Sequence, residues 1–361
     1  MVKHQMLLLL AGAFLTSALM EAGIQSFGVG FDLGMTYGCA EYFALNRRHL
    51  TYECSVASVA FPNGTLIDIA KVQGGPVYQQ SMLEGYDSTL GVGRASVQEL
   101  KTGGAVQSLL GLLSPWSRIS RPHLTTSVLP MIETLRMATE NYLGFEIKNA
   151  TYTTPYPISE ADHELLGTTI PGLFLYTNPH RLAASLAIRA YGIDIDMSDH
   201  GEQIMLAVEM SQAALTASII LEDQGVIDLL RLWHVSTLGH DSVRGMLSSK
   251  EELETRLKRI LTTPVHYESR VLEPRKLLQK LILFGEVSVD SPVTQALRCI
   301  LGEKRYNDAV HYSVPNGYGV ADPTYAASRG AAMDCVTRLT KCDSLQCWSN
   351  SYLDSDTIGP I

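Results

Sequence analysis

GVGFDLGMTYGCAEYF, from Gly28 to Phe43, is the stretch that determines the predicted fold. It begins as an apolar β-run, Phe27 to Leu33, which carries one acid, Asp32. It breaks at Gly34 into a loop of small and hydroxyl-bearing residues and resumes as a second β-run from Cys39 to Leu45. Successive amides in such a turn can form an anion-binding nest, so the stretch predicts a phosphate loop whose acid holds water on a metal ion. The alternative is an ordinary hairpin with a capped turn.

The composition of the chain bounds its class. It has 361 residues, which suits two domains, and 46% of them are hydrophobic, which is enough for a sizeable core. The formal net charge is −9, and no run of lysine and arginine is longer than two residues. Because a nucleic-acid surface needs a clustered basic stripe, we expect no nucleic-acid partner. The glycines near the N-terminus do not match G-x-G-x-x-G before a helix, which argues against a Rossmann site.

The N-terminus is typical of a secretory signal peptide. Lys3 precedes an apolar run of about 14 residues, with small residues at Ser17 and Ala18. Cleavage after Ala18 or Ala22 suits this pattern, and the run is short for a membrane span, which needs about 20 apolar residues. We therefore expect no membrane span after cleavage and a location in the secretory pathway, in the lumen of the endoplasmic reticulum or outside the cell. An uncleaved signal anchor is the alternative.

Two N-glycosylation sequons follow, Asn63-Gly64-Thr65 and Asn149-Ala150-Thr151. A chain of this length often carries one or two sequons by chance, so they add little to the prediction of secretion. Asn63 lies in a predicted turn between two predicted strands. Asn149 opens a predicted core strand, which argues against a glycan there.

The first two of the six cysteines could form a disulfide in an oxidising compartment. Cys39 and Cys54 lie on β-runs that flank Arg47. If these runs pair as a hairpin centred on Arg47, the two cysteines face each other across the strands. The alternative is two free, buried cysteines.

The remaining cysteines lie in the C-terminal third of the chain. Cys342 and Cys347 could close a small loop in the tail. Cys299 lies in an apolar stretch and is expected to be a buried thiol. No histidine lies near the C-terminal cysteines at zinc-finger spacing, which argues against a zinc site.

The opening stretch resembles the first phosphate loop of the seventy-kilodalton heat-shock chaperones, G-I-D-L-G-T-T-Y-S-C-V-G-V-F, which belong to the actin-like ATPase superfamily. One residue of the family's T-T pair is replaced, by Met35. The resemblance implies an α/β, two-lobed actin-like ATPase fold with ribonuclease-H-like lobes and nucleotide in the cleft between them. It implies Mg-ATP or Mg-ADP as the cofactor, with the magnesium ion held through water by Asp32. The other nucleotide-binding candidates in this loop are Gly34, Thr36 and Tyr37.

Further motifs of the family follow in the same order. KNATYTTPYPISE, from Lys148 to Glu160, resembles the strand and turn T-N-A-V-V-T-V-P-A-Y-F-N-D, and a helix is predicted before it, over Leu124 to Leu143. Leu182 to Asp194 resembles the helix that links the lobes, and Asp322 to Ala332 resembles the closing N-P-D-E-A-V-A-Y-G-A-A. The resemblance implies lobe I at residues 23–190 and a shortened lobe II at 191–340. The N-terminal pattern predicts the signal peptide at 1–22, and residues 341–361 are left as a cysteine-containing tail.

The second phosphate loop of the family, D-L-G-G-G-T-F-D-V-S-I-L, aligns with Glu209 to Ile220. All three glycines and the threonine are replaced, and Glu209 takes the place of the first aspartate. Glycine permits positive φ and a close backbone approach to phosphate, which residues with a Cβ resist. The flanking strands, Ile204 to Val208 and Leu215 to Leu221, are still predicted. Glu209 remains a candidate nucleotide-binding residue.

The groups that grip adenosine in the family are also reduced. Leu238 to Asp241 resembles L-G-G-E-D-F-D and keeps Gly239. Leu281 to Pro292 resembles the adenosine loop V-L-V-G-G-S-T-R-I-P and keeps Gly285, but not the arginine that stacks on the base. Where the family has a helical subdomain, only two helices are predicted, Ser249 to Leu261 and Pro274 to Lys280.

Phosphoryl transfer depends on several charges acting together, and most of the family's are missing. The family lysine has no secure match, because neither Lys71 nor Lys101 can be aligned with it. The first hypothesis is therefore a pseudo-ATPase of the secretory pathway that binds a protein partner and binds ATP weakly or not at all. One alternative is an active, divergent Mg-dependent ATPase that rebuilt its second site with Ser211, Gln212 and Glu209. The other is a secreted structural domain whose cleft is filled by side chains.

Overall fold

The computed structural model of the protein shows an α/β fold, and its described residues form two mixed five-stranded sheets and one two-stranded sheet. The residues that it describes are 27–34, 53–75, 77–78, 81–82, 124–158, 160–176, 182–191, 202–211, 214–223, 226–235, 238–239, 243, 247–285, 291–311 and 322–341.

The first sheet, sheet A, is built around the strand that opens the described chain. Its strands are β1 (Gly28–Asp32), β2 (Glu53–Ala60), β3 (Leu66–Gly74), β4 (Asn149–Thr153) and β5 (Phe174–Tyr176), in the order β3-β2-β1-β4-β5. β1, β2 and β3 pair antiparallel in succession, whereas β4 runs parallel to β1 and β5 parallel to β4. β1 is buried along its whole length, as expected for an apolar central strand.

The second five-stranded sheet, sheet B, repeats this topology. The remaining described strands are β6 (Gln203–Met210), β7 (Leu215–Asp223), β8 (Val226–Val235), β9 (Val265–Tyr267), β10 (Arg270–Leu272), β11 (Leu278–Gly285) and β12 (Val310–His311). β9 and β10 form a hairpin, and the others form sheet B in the order β12-β11-β6-β7-β8. In both sheets the first strand is central, the second and third run antiparallel on one side, and the fourth and fifth run parallel on the other.

The helices pack on the two sheets and between them. They are α1 (Leu124–Leu143), α2 (Glu160–Thr169), α3 (Ala183–Ala190), α4 (Leu247–Thr262), α5 (Pro274–Leu277), α6 (Pro292–Leu301), α7 (Glu303–Ala309) and α8 (Ala326–Lys341), with a 3-10 turn, Pro323–Tyr325, before α8. The predicted helix from Leu124 to Leu143 is confirmed as α1. It buries Val128, Ile132 and Leu135 in the core of sheet A, because side chains at this spacing share one helix face.

Helix α8 lies against β1 and α3 at distances that only glycine permits. A Cβ on Gly30 of β1 would lie 2.0 Å from the carbonyl oxygen of Ser328 in α8. A Cβ on Gly330 of α8 would lie 1.9 Å from the carbonyl oxygen of Leu186 in α3. The glycines of the opening stretch therefore serve, in part, to seat a helix on the central strand.

Helix α3 connects this packing to sheet B. Its residues Ala187 and Ile188 share one core cluster with Met205 of β6 and Ile282 of β11. Just after the helix, the hydroxyl of Tyr191 donates a hydrogen bond to the carbonyl oxygen of Leu283 at 2.8 Å. Together, α3 and α8 join the two sheets through a layer of small and apolar side chains.

The predicted hairpin of the opening stretch is wrong as to the strand that pairs with β1. The sequence predicted that the run from Cys39 to Leu45 returns beside it. In the structure, β2 and β4 occupy the two edges of β1, and Gly28 pairs with Ala60 and Asp32 with Val56. Residues 39–45 lie outside the described part of the chain. The predicted strands on either side of Asn63 are confirmed as β2 and β3.

The predicted helix from Pro274 to Lys280 is only partly correct. Helix α5 ends at Leu277 after one turn, and β11 begins at Leu278. Leu278 already pairs with Ile204 of β6, so from this residue onward the chain bonds to the central strand and no longer forms a helix. The other helix predicted in this region, Ser249 to Leu261, is confirmed within α4.

The prediction that Cys299 is buried is also wrong. Cys299 is a free, exposed thiol on α6. The helix turns Val293, Leu297 and Ile300 into the core of sheet B, and Cys299 falls on the other face. An apolar neighbourhood in sequence did not predict burial because the helical period separates adjacent residues.

Candidate functional site

The carboxyl end of β1 carries a buried acid. Asp32 is 0% exposed and is flanked by Val56 of β2 and Thr153 of β4. The amide of Leu33 donates to the carbonyl oxygen of Thr153 at 3.0 Å, which extends the pairing of β1 and β4 past the end of the strand. The backbone of Asp32 is therefore held between two neighbouring strands.

A second buried acid, Glu209, occupies the corresponding place in sheet B. It lies one residue before the end of β6, the central strand, and is 4% exposed. Thr216 of β7 pairs with it, and His234 of β8 pairs with Thr216, so the three side chains lie in one row on one face. Thr216 Oγ1 and His234 Nδ1 are hydrogen-bonded at 2.8 Å. Two residues earlier on the same face of β6, Ala207 packs in the cluster that contains α3.

The negative charge of Asp32 acts on the carboxyl group of Glu209, so the two acids are electrostatically linked. Burial raises the pKa of the Glu209 carboxyl well above its ordinary value, and the negative charge of Asp32 raises that pKa further. Glu209 Oε2 has no hydrogen-bond partner among the described residues. Burial lowers the pKa of His234 to about 3, so this imidazole is neutral and supplies no positive charge to the row. The protonated form of Glu209 is therefore favoured in the folded protein.

We expect Glu209→Gln to remove a pH-dependent loss of stability. Because the pKa of Glu209 is raised in the folded protein, its protonated form stabilises the fold fully below the ordinary glutamate pKa of 4.5. This stabilisation is lost as the pH rises toward the folded-state pKa. The free energy of unfolding of Glu209→Gln, relative to wild type, should therefore increase across the range from pH 4.5 upward. Urea unfolding across this range measures the difference.

The control is Glu251→Gln, a substitution at an exposed position of α4. Its free energy of unfolding relative to wild type should not change with pH. The contribution of His234 is common to all three proteins and cancels. A Glu209→Gln difference that stays constant with pH would contradict the protonated assignment.

Gly285, a predicted nucleotide-binding residue, lies beside Glu209. It ends β11 with φ +76°, and a Cβ there would lie 2.7 Å from the carbonyl oxygen of Met210 and 3.4 Å from Glu209 Cγ. The hydroxyl of Thr324, at the turn before α8, donates to the carbonyl oxygen of Gly285 at 3.5 Å. Two of the predicted site residues, Glu209 and Gly285, are thus brought together, and the charge of Asp32 reaches the first of them.

Ser211 and Ala214, the described residues that follow β6 and precede β7, are hydrogen-bonded to each other. The amide of Ser211 donates to the carbonyl oxygen of Ala214 at 2.9 Å, and the amide of Ala214 donates to Ser211 Oγ at 3.0 Å. In the resembling family this loop carries the glycines of the second phosphate site. Here these two amides are used inside the turn and are not available to an anion.

A tyrosine that the sequence did not single out holds the loop after β1. The hydroxyl of Tyr78 donates to the carbonyl oxygen of Gly34 at 3.1 Å and lies 3.0 Å from Ser55 Oγ. Tyr78 is buried although it lies in a segment whose composition is loop-like. Thr216 and His234 were also missed, and polar residues at alternate positions of otherwise apolar strands are the signal that could have identified them.

The other predicted site residues are not gathered at the two acids by the described part of the chain. Gly239 follows the buried Leu238 and accepts a hydrogen bond from the amide of Val243 at 3.0 Å. Lys71 lies on the edge strand β3, exposed, two strands away from Asp32. Thr36 and Tyr37 lie outside the described residues.

The sheet B half of this site does not fit a magnesium-bound phosphate group. Within the described ranges, no three histidine, cysteine, aspartate or glutamate side chains cluster in a way that could hold a metal ion. Magnesium prefers carboxylate oxygens and water. Burial raises the pKa of Glu209 in the metal-free fold, so binding magnesium there would first have to displace its proton. The amides of Ser211 and Ala214 are already paired.

The predicted disulfides and glycosylation sites fall partly in the described residues. Cys54 lies on β2, but its side chain is outside them, as are Cys39, Cys342 and Cys347, so neither disulfide is tested. Asn63 is exposed in the turn between β2 and β3, and Asn149 is half-buried at the start of β4.

No protein-family model matches the chain, and no curated protein matches it closely enough to indicate a relative. In the part of the chain that the structure describes, no helix is long and apolar enough to cross a membrane.

Proposed function

We propose that this protein has a two-lobed actin-like ATPase fold that no longer hydrolyses ATP, and that it acts by binding a protein partner in the secretory pathway. The observation that carries the proposal is the buried acid pair at the carboxyl ends of the central strands of two sheets. Asp32 and Glu209 are the acids that the resemblance aligns with the two phosphate loops of the heat-shock chaperones. An acidic residue is present at both positions, but neither acid is open to solvent.

The topology of the sheets supports the two-lobed fold. Sheets A and B have the same strand order and the same directions, as expected for two ribonuclease-H-like lobes. Helices α3 and α8 pack between them, in the places that the resemblance gives to the linking and closing helices. The short α4 to α6 region on sheet B corresponds to the reduced second lobe.

The chemistry of the acids supports the loss of hydrolysis. Phosphoryl transfer needs magnesium, a positioned water and several charges acting together. Glu209 favours its protonated form, and the turn after it pairs Ser211 and Ala214 with each other. The exposed Lys71 lies on an edge strand, two strands from Asp32. These residues support weak binding of Mg-ATP or Mg-ADP at most.

Phosphate release from Mg-ATP tests this proposal. We expect purified wild type, without its leader, to release phosphate no faster than the Asp32→Asn variant, because both lack a working second phosphate site. Background is set by a sample without magnesium. Magnesium-dependent release that Asp32→Asn loses would contradict the proposal and favour the divergent active ATPase.

A second candidate function is a secreted structural domain with a filled cleft. The burial of Asp32 and Glu209 at 0% and 4% exposure favours it, since a cleft that admits ligand exposes its acids. Cross-linking in intact cells separates the two candidates. Reproducible cross-links from this chain to one lumenal protein support the partner-binding proposal, whereas cross-links within the chain alone support the structural domain.

A further inference from the structure

The turn between β2 and β3 presents the sequon Asn63-Gly64-Thr65 to solvent. Pro62, Asn63 and Gly64 are all exposed. The turn is fixed at its base, where the amide of Phe61 donates to the carbonyl oxygen of Thr65 at 2.9 Å. Gly64 has φ +84°, and a Cβ placed there would meet nothing within 4 Å, so the space above the turn is open.

The side chain of Asn63 is oriented by a local hydrogen bond. Its Oδ1 accepts from the amide of Thr65 at 3.0 Å. This bond uses the carbonyl arm of the carboxamide, and Nδ2, the atom that N-glycosylation modifies, lies on the other arm of an exposed side chain. The asparagine and the third residue of the sequon are thus held together in an accessible turn.

The second sequon has the opposite setting. Asn149 is the half-buried first residue of β4, which pairs with β1 on one side and β5 on the other. The next two residues, Ala150 and Thr151, are 0% and 3% exposed. A glycan on Asn149 would have to fit beside Phe174, its partner on β5.

We propose that Asn63 is an N-glycosylation site and that Asn149 is not. The donor class is an oligosaccharide linked through a diphosphate to a polyprenyl lipid. The bond from the anomeric carbon to the diphosphate oxygen breaks, a bond from that carbon to Asn63 Nδ2 forms, the amide proton passes to a base of the transferase, and the lipid diphosphate leaves. The inference rests on the proposed entry into the secretory pathway.

The glycan would lie at the end of sheet A opposite the buried Asp32. Asp32 pairs with Val56, and Gly28 pairs with Ala60, next to the turn. The two pairs are four residue steps apart along the strand, about 14 Å at the rise of a β-strand. The proposed glycan therefore leaves the Asp32 end of sheet A free.

The test is a mobility shift of the full chain made in cells with a secretory pathway, before and after treatment with an N-glycosidase. We expect wild type to lose one mobility step on treatment. Asn63→Gln and Thr65→Ala should lack that step, and Asn149→Gln, the matched control, should keep it. Thr65→Ala retains Asn63 and the backbone amide that orients it, so it separates loss of modification from damage to the turn.

Entry into the lumen is read separately, by protease protection in isolated microsomes. The full chain is also expressed behind a proven leader, so that Asn63 is tested even if the native N-terminus fails to direct entry. A protease-accessible native chain would contradict the proposed location alone. A step that Asn149→Gln removes, or no step in the leader-directed chain, would overturn the glycosylation proposal.

Discussion

Gly330→Ala is expected to lower the free energy of unfolding by about 3 kcal/mol or to prevent folding, which is the upper end of the cost of overpacking a core. The added Cβ would lie 1.9 Å from the backbone carbonyl oxygen of Leu186, and a backbone atom cannot move aside as a flexible side chain can. α3 and α8 would have to separate, which would also disturb the packing of α8 on β1. The intrinsic preference of a helix for alanine over glycine, about 1 kcal/mol, predicts the opposite sign.

Urea unfolding of Gly330→Ala, extrapolated to water, measures this loss. Gly75→Ala is the matched control, because Gly75 is exposed and a Cβ there would meet nothing within 4 Å. Its free energy of unfolding should change by less than about 1 kcal/mol. If Gly330→Ala is as stable as wild type, α3 and α8 do not cross at the distance described.

Asp334→Ala is expected to cost about 3 kcal/mol, because it leaves two arginines without their buried partner. Asp334 on α8 is 2% exposed, and it pairs with Arg189 near the end of α3 at 2.7 Å and with Arg338 on α8 at 2.8 Å. Both guanidinium groups keep some contact with water, which places the cost at the lower end of the range for breaking a buried pair.

The control for Asp334→Ala is Glu252→Ala, which breaks an exposed pair with Arg256 one turn away on α4. Exposed pairs of this kind contribute about 0.5 kcal/mol or less. Unfolding midpoints in urea should therefore fall clearly for Asp334→Ala and hardly move for Glu252→Ala. Equal effects of the two substitutions would mean that the buried carboxylate does not join α3 to α8.

Local pattern predicted many of the elements. The helical spacing of apolar residues from Val128 to Leu135 and the glycine after them predicted the bounds of α1. The alternation of side-chain types predicted β2, β3 and the strands flanking Ser211. These signals depend on residues close in sequence. A regular spacing of apolar side chains, or a turn residue, favours the same local structure wherever the segment lies in the fold.

Pairing between strands that are far apart in sequence could not be predicted in the same way. β1 pairs with a strand that begins at Glu53, and nothing in the stretch from Gly34 to Leu45 encodes the length of that connection. The closeness of α8 to β1 was equally hidden, because a glycine in a strand such as Gly30 also suits a bulge or a turn.

Three candidate residues of the site were named from the sequence, and their role in nucleotide binding stays a prediction. Asp32, Glu209 and Gly285 were named because the family motifs align there, and Gly285 lies against Glu209, on which the charge of Asp32 acts. The pairing of the turn amides at Ser211 was not predicted, because it depends on how the chain closes between two buried strands. Tyr78 was missed because its partners lie 23 and 44 residues earlier in the chain.

The most direct test of the central claim is unfolding of the purified protein with and without millimolar Mg-ADP and Mg-ATP. A ligand that binds only the folded state raises stability by about 2.7 kcal/mol when present at 100 times its dissociation constant. We expect an increase below about 1 kcal/mol for wild type, the same within error as for Asp32→Ala. An increase of about 2.7 kcal/mol or more that Asp32→Ala abolishes would show a nucleotide site between the sheets and contradict the account.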